Sequence, residues 1–144
     1  MLRALSLVAL ALFLGLARNH GASHPLPLTQ PFTGLISGDV TLKEVRSLWN
    51  SSETVFIDAR DSKSFARAHL PGAVHLSPEQ FAGQLPELRE RLQGPRLIVY
   101  CAGPRCPKAD MVRDLLEDSG YPRVEVMREG IDGWFKAGYL VEHS

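Results

Sequence analysis

The chain has 144 residues, 44% of them hydrophobic, which suits a single domain built around one ordinary core. Sixteen basic and sixteen acidic residues cancel. No stretch concentrates Lys and Arg as a phosphate-backbone binder requires, so nucleic acid is not expected as a partner.

Met1-Leu2-Arg3 gives a basic start, and Ala4 to Ala17 then runs without a charge until Arg18. That is the pattern of a secretory signal. A bilayer-spanning helix takes roughly 20 apolar residues, so residues 1–22 read as a cleaved signal peptide, the alternative being an uncleaved signal anchor that tethers the protein to a membrane. Small residues suited to a cut occur at Gly15-Leu16-Ala17 and Gly21-Ala22-Ser23. The expected location is periplasmic or extracellular. Loss of Arg3 and Arg18 leaves a slightly acidic domain. Residues 23–38 carry Pro25, Pro27 and Pro31, which block regular helix and predict an extended linker.

The folded domain is expected over residues 39–142. Thr41 with Glu44 forms a capping-box signature, and Leu42, Val45, Leu48 and Trp49 share one face of a helix ending near Asn50. Val55-Phe56-Ile57 is an apolar run that reads as a buried strand delivering Asp58 at its C-terminal end. Asp61 or Ser62 can cap a short helix through Phe65. Pro71-Gly72 is a turn, Ala73 to Leu76 a short strand, and Ser77-Pro78 followed by Gln80 opens a helix that Pro86 is expected to interrupt.

Leu97-Ile98-Val99-Tyr100 is the clearest strand and suits a central parallel position covered on both faces. Pro107 is placed to start a helix with Met111, Val112, Leu115 and Leu116 on its apolar face and Gly120 as its stop. Val124 to Met127 reads as another strand. Ile131 to Ala137 reads as a last helix ended by Gly138, with Trp134 and Phe135 as core packing. Strands alternating with helices predict a three-layer α/β domain with a mostly parallel sheet, whose strand C-termini share one functional edge.

The segment Tyr100-Cys101-Ala102-Gly103-Pro104-Arg105-Cys106-Pro107 joins the best strand to a helix. Amides curling around a sulfur at a helix N-terminus stabilise a thiolate, and would equally hold a persulfide or the oxyanion end of a thiosulfonate. Arg105 adds positive charge within the loop and Lys108 just beyond it. The bland reading makes Cys101 a small buried hydrophobe at a strand end.

Four separated blocks of the chain, from about Ile36 to Glu142, resemble single-domain rhodaneses: Val55-Phe56-Ile57-Asp58-Ala59-Arg60; Ala68-His69-Leu70-Pro71-Gly72-Ala73; the Cys101 loop; and Glu129-Gly130-Ile131-Asp132-Gly133-Trp134 with Gly138-Tyr139. The resemblance implies a parallel five-stranded sheet and a nucleophilic Cys101. It also implies ping-pong transfer of sulfane sulfur from a donor such as thiosulfate to a thiol or cyanide-like acceptor. Asp58 and Arg60 would then be buried framework near the loop, with Ala102, Gly103, Pro104, Arg105 and Cys106 lining the substrate. No cofactor is implied, and a monomer is expected. Two departures stand out. Ala68 replaces the Gly usual before the His. The loop reads CxGxxC where CxxGxR is commoner, and so resembles a subgroup with a second cysteine.

Rival readings follow from the same residues. A cysteine-dependent phosphatase needs Arg at the sixth position after Cys, which is Pro107 here. An exported thiol-disulfide redox protein could use Cys101 and Cys106, although the spacing is not CxxC. A non-catalytic binding module would use the same cradle to hold an anion. His69 and His75 lack a third ligand at a recognised spacing, so no metal is assigned. Cys106 either replaces a small hydroxyl residue or resolves the Cys101 persulfide as a disulfide. The choice turns on whether their Cα atoms lie within about 4.4–6.8 Å.

Overall fold

The computed structural model describes residues 38–144. The signal or anchor expected at 1–22, and the linker up to Ser37, lie outside the described residues. The elements in chain order are β1 (Asp39–Val40), α1 (Leu42–Leu48), β2 (Thr54–Asp58), α2 (Ser62–Arg67), β3 (Val74–His75), a 3-10 turn (Pro78–Gln80), α3 (Phe81–Leu92), β4 (Arg96–Tyr100), α4 (Lys108–Asp118), β5 (Val124–Met127) and α5 (Gly130–Lys136).

The five strands form one sheet in the order β1-β5-β4-β2-β3, and every pairing is parallel. β4 lies at the centre. Period-two alternation explains how its apolar run serves both faces of the sheet. Leu97, Val99 and Cys101 join Ile57, Val124 and Val126 beneath Phe81 and Leu92 of α3 and Ala109, Val112 and Leu116 of α4. Ile98 and Tyr100 join Phe56 and Met127 on the opposite face, against Val45 of α1 and Ile131 and Trp134 of α5. This is the expected three-layer α/β domain with a five-stranded parallel sheet.

The strand order also fixes where chemistry can occur. The chain leaves β2 for β3 on one side and leaves β4 for β5 on the other, so the crevice at the C-terminal ends of β2 and β4 is the topological switch point where ligands bind in such sheets. Asp58 and Tyr100 pair in register at that edge. Ala59 N–H then bonds Tyr100 O at 2.9 Å, carrying the pairing up to the Cys101 loop.

Several local expectations need correction. Pro86 lies inside α3 and does not interrupt it. Proline removes one N–H bond and crowds the carbonyl four residues back, but here Pro86 and Ala82 are both exposed, so water can satisfy the freed carbonyl. Phe81, Leu85, Leu88 and Leu92 pin the helix to the core on both sides of the break. Met111 is 50% exposed and Phe135 49% exposed, so neither is core. The buried face of α4 is Ala109, Val112 and Leu116, whose spacing rotates Met111 outward. The capping box at Thr41 is half made. Thr41 Oγ1 accepts from Glu44 N–H, while the Glu44 carboxylate pairs with Arg96 at 2.8 Å instead of reaching back.

Candidate active site

Cys101 follows the last residue of β4 and is 3% exposed. The backbone then turns back on itself: Cys106 N–H donates to Gly103 O at 3.0 Å, and α4 starts two residues later. That turn returns Cys106 to Cys101, and the two are joined as a disulfide with a Cα separation of 6.1 Å. The separation falls inside the range such a bond requires. The chain's two cysteines are both consumed by it.

The loop is held from outside by α5. Ile131 N–H donates to Cys101 O and Asp132 N–H to Ala102 O, each at 2.9 Å. These are first-turn donors with no partner inside their own helix, so the N-terminus of α5 is spent on fixing the loop. Gly130 makes the approach possible. Its φ is +59°, and a Cβ there would collide with Cys101 O and lie 2.7 Å from the Ala102 carbonyl. The Asp132 carboxylate lies beside Gly103, where an added Cβ would come within 3.2 Å of Oδ2. Neither role is legible in the sequence except as membership of the Gly130 block, because both depend on contact between segments thirty residues apart.

The remaining loop residues divide by commitment. Ala102, Pro104 and Arg105 are exposed and Gly103 is half-buried. No acceptor among the described residues takes the N–H of Ala102, Gly103 or Arg105, which leaves these donors for water or an anion. The Arg105 guanidinium is likewise uncommitted among the described residues. Lys108 is not a free charge: its ammonium pairs with Glu79 at 2.7 Å, and that bond lowers the Glu79 pKa.

Asp58 and Arg60 stand at the neighbouring strand end. Asp58 is fully buried, and Arg60 meets its carboxylate with Nε at 2.9 Å and Nη2 at 2.6 Å, while Nη2 also donates to Ala68 O at 2.6 Å. Burial opposes the Arg60 charge, but the Asp58 hydrogen bond and charge outweigh it and its pKa is raised. A locked ion pair of this kind braces the α2 connection. Tyr100 ties in a further segment by accepting Leu70 N–H at 3.0 Å. Burial, then the Asp58 charge, pushes its phenol far above the ordinary range.

The two histidines are engaged separately. His69 is 5% exposed, stacks on Phe65 at 4.0 Å and bonds Phe65 O through Nδ1 at 3.0 Å. His75 bonds Arg60 O through Nε2 at 2.8 Å and the Gln84 amide through Nδ1 at 3.0 Å. Among the described residues no group of three His, Cys, Asp or Glu side chains could hold a metal, and no helix is long and apolar enough to cross a membrane.

A strand-loop-helix cysteine at the switch point, with the Gly130 helix locked onto it, is matched by a known family. The model of the rhodanese-like domain covers residues 41–137. The chain belongs to the rhodanese-like domain family. Arsenate reductase 2.1 of Oryza sativa subsp. japonica is 33% identical over 101 residues, which cover 64% of this chain and 62% of that protein. The chain thus spans about three-fifths of the length of that relative. A crystal structure of a Bacillus halodurans protein superimposes with a TM-score of 0.67 at 21% identity, covering 74% of this chain and 77% of that one, which shows the fold. Thiosulfate sulfurtransferase from Pseudomonas aeruginosa superimposes with a TM-score of 0.57 at 30% identity, covering 73% of this chain and 20% of that one. Enzymes therefore stand among the rhodanese-like relatives.

Proposed function

We infer that the protein is a rhodanese-type sulfurtransferase in which Cys101 carries sulfane sulfur as a persulfide. The observation that carries this reading is the placement of Cys101 at the switch point, in a loop whose three amide donors and Arg105 charge have no partner among the described residues. In the reduced state the Cys101 thiolate attacks the outer sulfur of thiosulfate or a related persulfide donor. Sulfite, or the donor's thiolate, leaves, and an acceptor later removes the sulfur. No proton-transfer residue is needed, because both nucleophile and leaving group are stabilised anions. The loop amides supply the electrostatic part, and Arg105 binds the donor. Asp58 and Arg60 hold the crevice and take no part in proton transfer.

Chemistry argues against reading across from the arsenate reductase relative. The Arg that a cysteine-dependent phosphatase-type loop places at the sixth position after its Cys is Pro107 here. A thiol-disulfide redox protein is the second reading, favoured by the Cys101–Cys106 bond. Sulfite separates the two, since only sulfur transfer releases it from thiosulfate. The test is sulfite release when the reduced full chain is given thiosulfate, against Cys101→Ser. Sulfite released by the wild type and abolished in the variant supports transfer; equal release from both overturns it. Export through residues 1–22 belongs to the same proposal, and N-terminal sequencing of protein from a secreting host tests it. An intact Met1 on soluble cytosolic protein overturns export.

A further inference from the structure

The Cys101–Cys106 bond joins the sulfur that would carry the cargo to a second thiol on the same loop. We propose that Cys106 is a catalytic resolving residue, which discharges the Cys101 persulfide as hydrosulfide and makes a dithiol reductant the protein's electron-donating partner. This rests on the sulfurtransferase reading and adds to it the fate of the sulfur.

Three features support it. First, the Gly103 to Cys106 turn, closed by the 3.0 Å bond from Cys106 N–H, brings the two sulfurs to bonding distance within the folded loop. Second, Cys106 competes with any external acceptor from within the molecule. Well-oriented intramolecular nucleophiles reach effective concentrations of about 10⁵–10⁸ M, far above any dissolved thiol. Third, Cys101 is 3% exposed and Cys106 half-buried, so the inner sulfur of a Cys101 persulfide is approached more readily by Cys106 than from solvent.

The steps balance without an unnamed reagent. Cys101 thiolate takes the outer sulfur of thiosulfate and sulfite departs. Cys106 thiolate then attacks the inner sulfur of the persulfide. The Cys101–Cys106 bond forms, the bond to the outer sulfur breaks, and that sulfur leaves as hydrosulfide. The sulfane sulfur is reduced by two electrons, and the two cysteines are oxidised by two. One thiolate of the dithiol reductant attacks Cys106, the more accessible sulfur, and expels Cys101 as the thiolate that the loop and α4 stabilise. The second thiol of the reductant then frees Cys106 and closes the reductant's own disulfide. In sum, thiosulfate and a dithiol give sulfite, hydrogen sulfide and a disulfide.

The test uses fully reduced full-length wild type and Cys106→Ser, freed of reductant under anaerobic conditions and given one equivalent of thiosulfate. Sulfite, hydrosulfide and intact mass are measured together. Resolution predicts that the wild type releases sulfite and hydrosulfide in equal amounts and loses two hydrogens. Cys106→Ser should release sulfite alone and gain one sulfur atom. Sulfite release with an equally long-lived persulfide in both proteins overturns resolution while leaving sulfur transfer standing. No sulfite and no added sulfur in either overturns the sulfur-transfer reading itself, and resolution with it. The wild-type stoichiometry decides the matter alone should Cys106→Ser fail to fold.

Discussion

Gly130→Ala tests how the site is held more sharply than substitution within the Cys101 loop. The added methyl would collide with Cys101 O and sit 2.7 Å from the Ala102 carbonyl, and backbone cannot rotate away as a side chain can. Alanine at a φ of +59° costs about 1–2 kcal/mol by itself. Displacing the loop also breaks the bonds from Ile131 N–H and Asp132 N–H, worth about 1 kcal/mol each. The expected destabilisation is about 3–4 kcal/mol. Gly138 provides the control: its φ is +73°, but nothing lies within 4 Å of an added Cβ, so Gly138→Ala should lose only the conformational part. Urea unfolding of the reduced proteins measures both, and thiosulfate turnover at a temperature where both are folded should fall at least about tenfold for Gly130→Ala, because displacement of reacting atoms by an ångström is costly. Equal destabilisation and equal turnover in the two variants would refute the claim that Gly130 sets the position of Cys101.

Further outcomes follow from the same geometry. Arg60→Leu strands the fully buried Asp58 carboxylate and should cost about 3–5 kcal/mol in urea unfolding; a change below about 1 kcal/mol would show that the pair does not brace the sheet edge. Arg105→Ala should raise KM for thiosulfate roughly tenfold or more with little change in kcat, as expected on losing a charge-assisted contact to an anion, and an unchanged KM would remove Arg105 from donor binding. Asp110 in α4 is bound by Arg128 at 2.8 Å, and that hydrogen bond holds its pKa below the ordinary carboxylate range. Its folded-state pKa is depressed, so its stabilising contribution is fully present above about pH 4 and is lost as pH falls through the lower folded value. Melting temperature should therefore drop less steeply with acidification below about pH 4 in Asp110→Asn than in the wild type, and parallel profiles would contradict the linkage.

Much of the fold was legible because the strands carry strong one-dimensional signals. Leu97 to Tyr100 is apolar at every position, and that alone placed β4 in the buried centre with a cysteine at its functional end. Asp61 was readable as a cap because its partner is three residues away: it accepts from Ser64 Oγ and N–H, which lowers its pKa to about 2. What escaped the sequence depends on neighbours distant in the chain. Pro86 breaks a helix only where its freed carbonyl is buried and its ends are unpinned, and neither condition can be read locally. Lys108 looked available to an anion until Glu79, from a different element, was seen to hold it. Gly130 reads as an ordinary helix-start glycine until the Cys101 loop lies against it. The spacing of Cys101 and Cys106 left their bonding open, because a five-residue step spans the permitted range or exceeds it depending on one turn, the one closed at Gly103.

The central claim is that Cys101 carries sulfur. Thiosulfate radiolabelled in its outer sulfur, given anaerobically to reduced Cys106→Ser and followed by peptide mapping without reductant, tests it most directly. Label should appear on the peptide bearing Cys101 with release of unlabelled sulfite, and should vanish when Cys101 is also changed to Ser. Label that never joins the protein, or that persists without Cys101, would contradict the account.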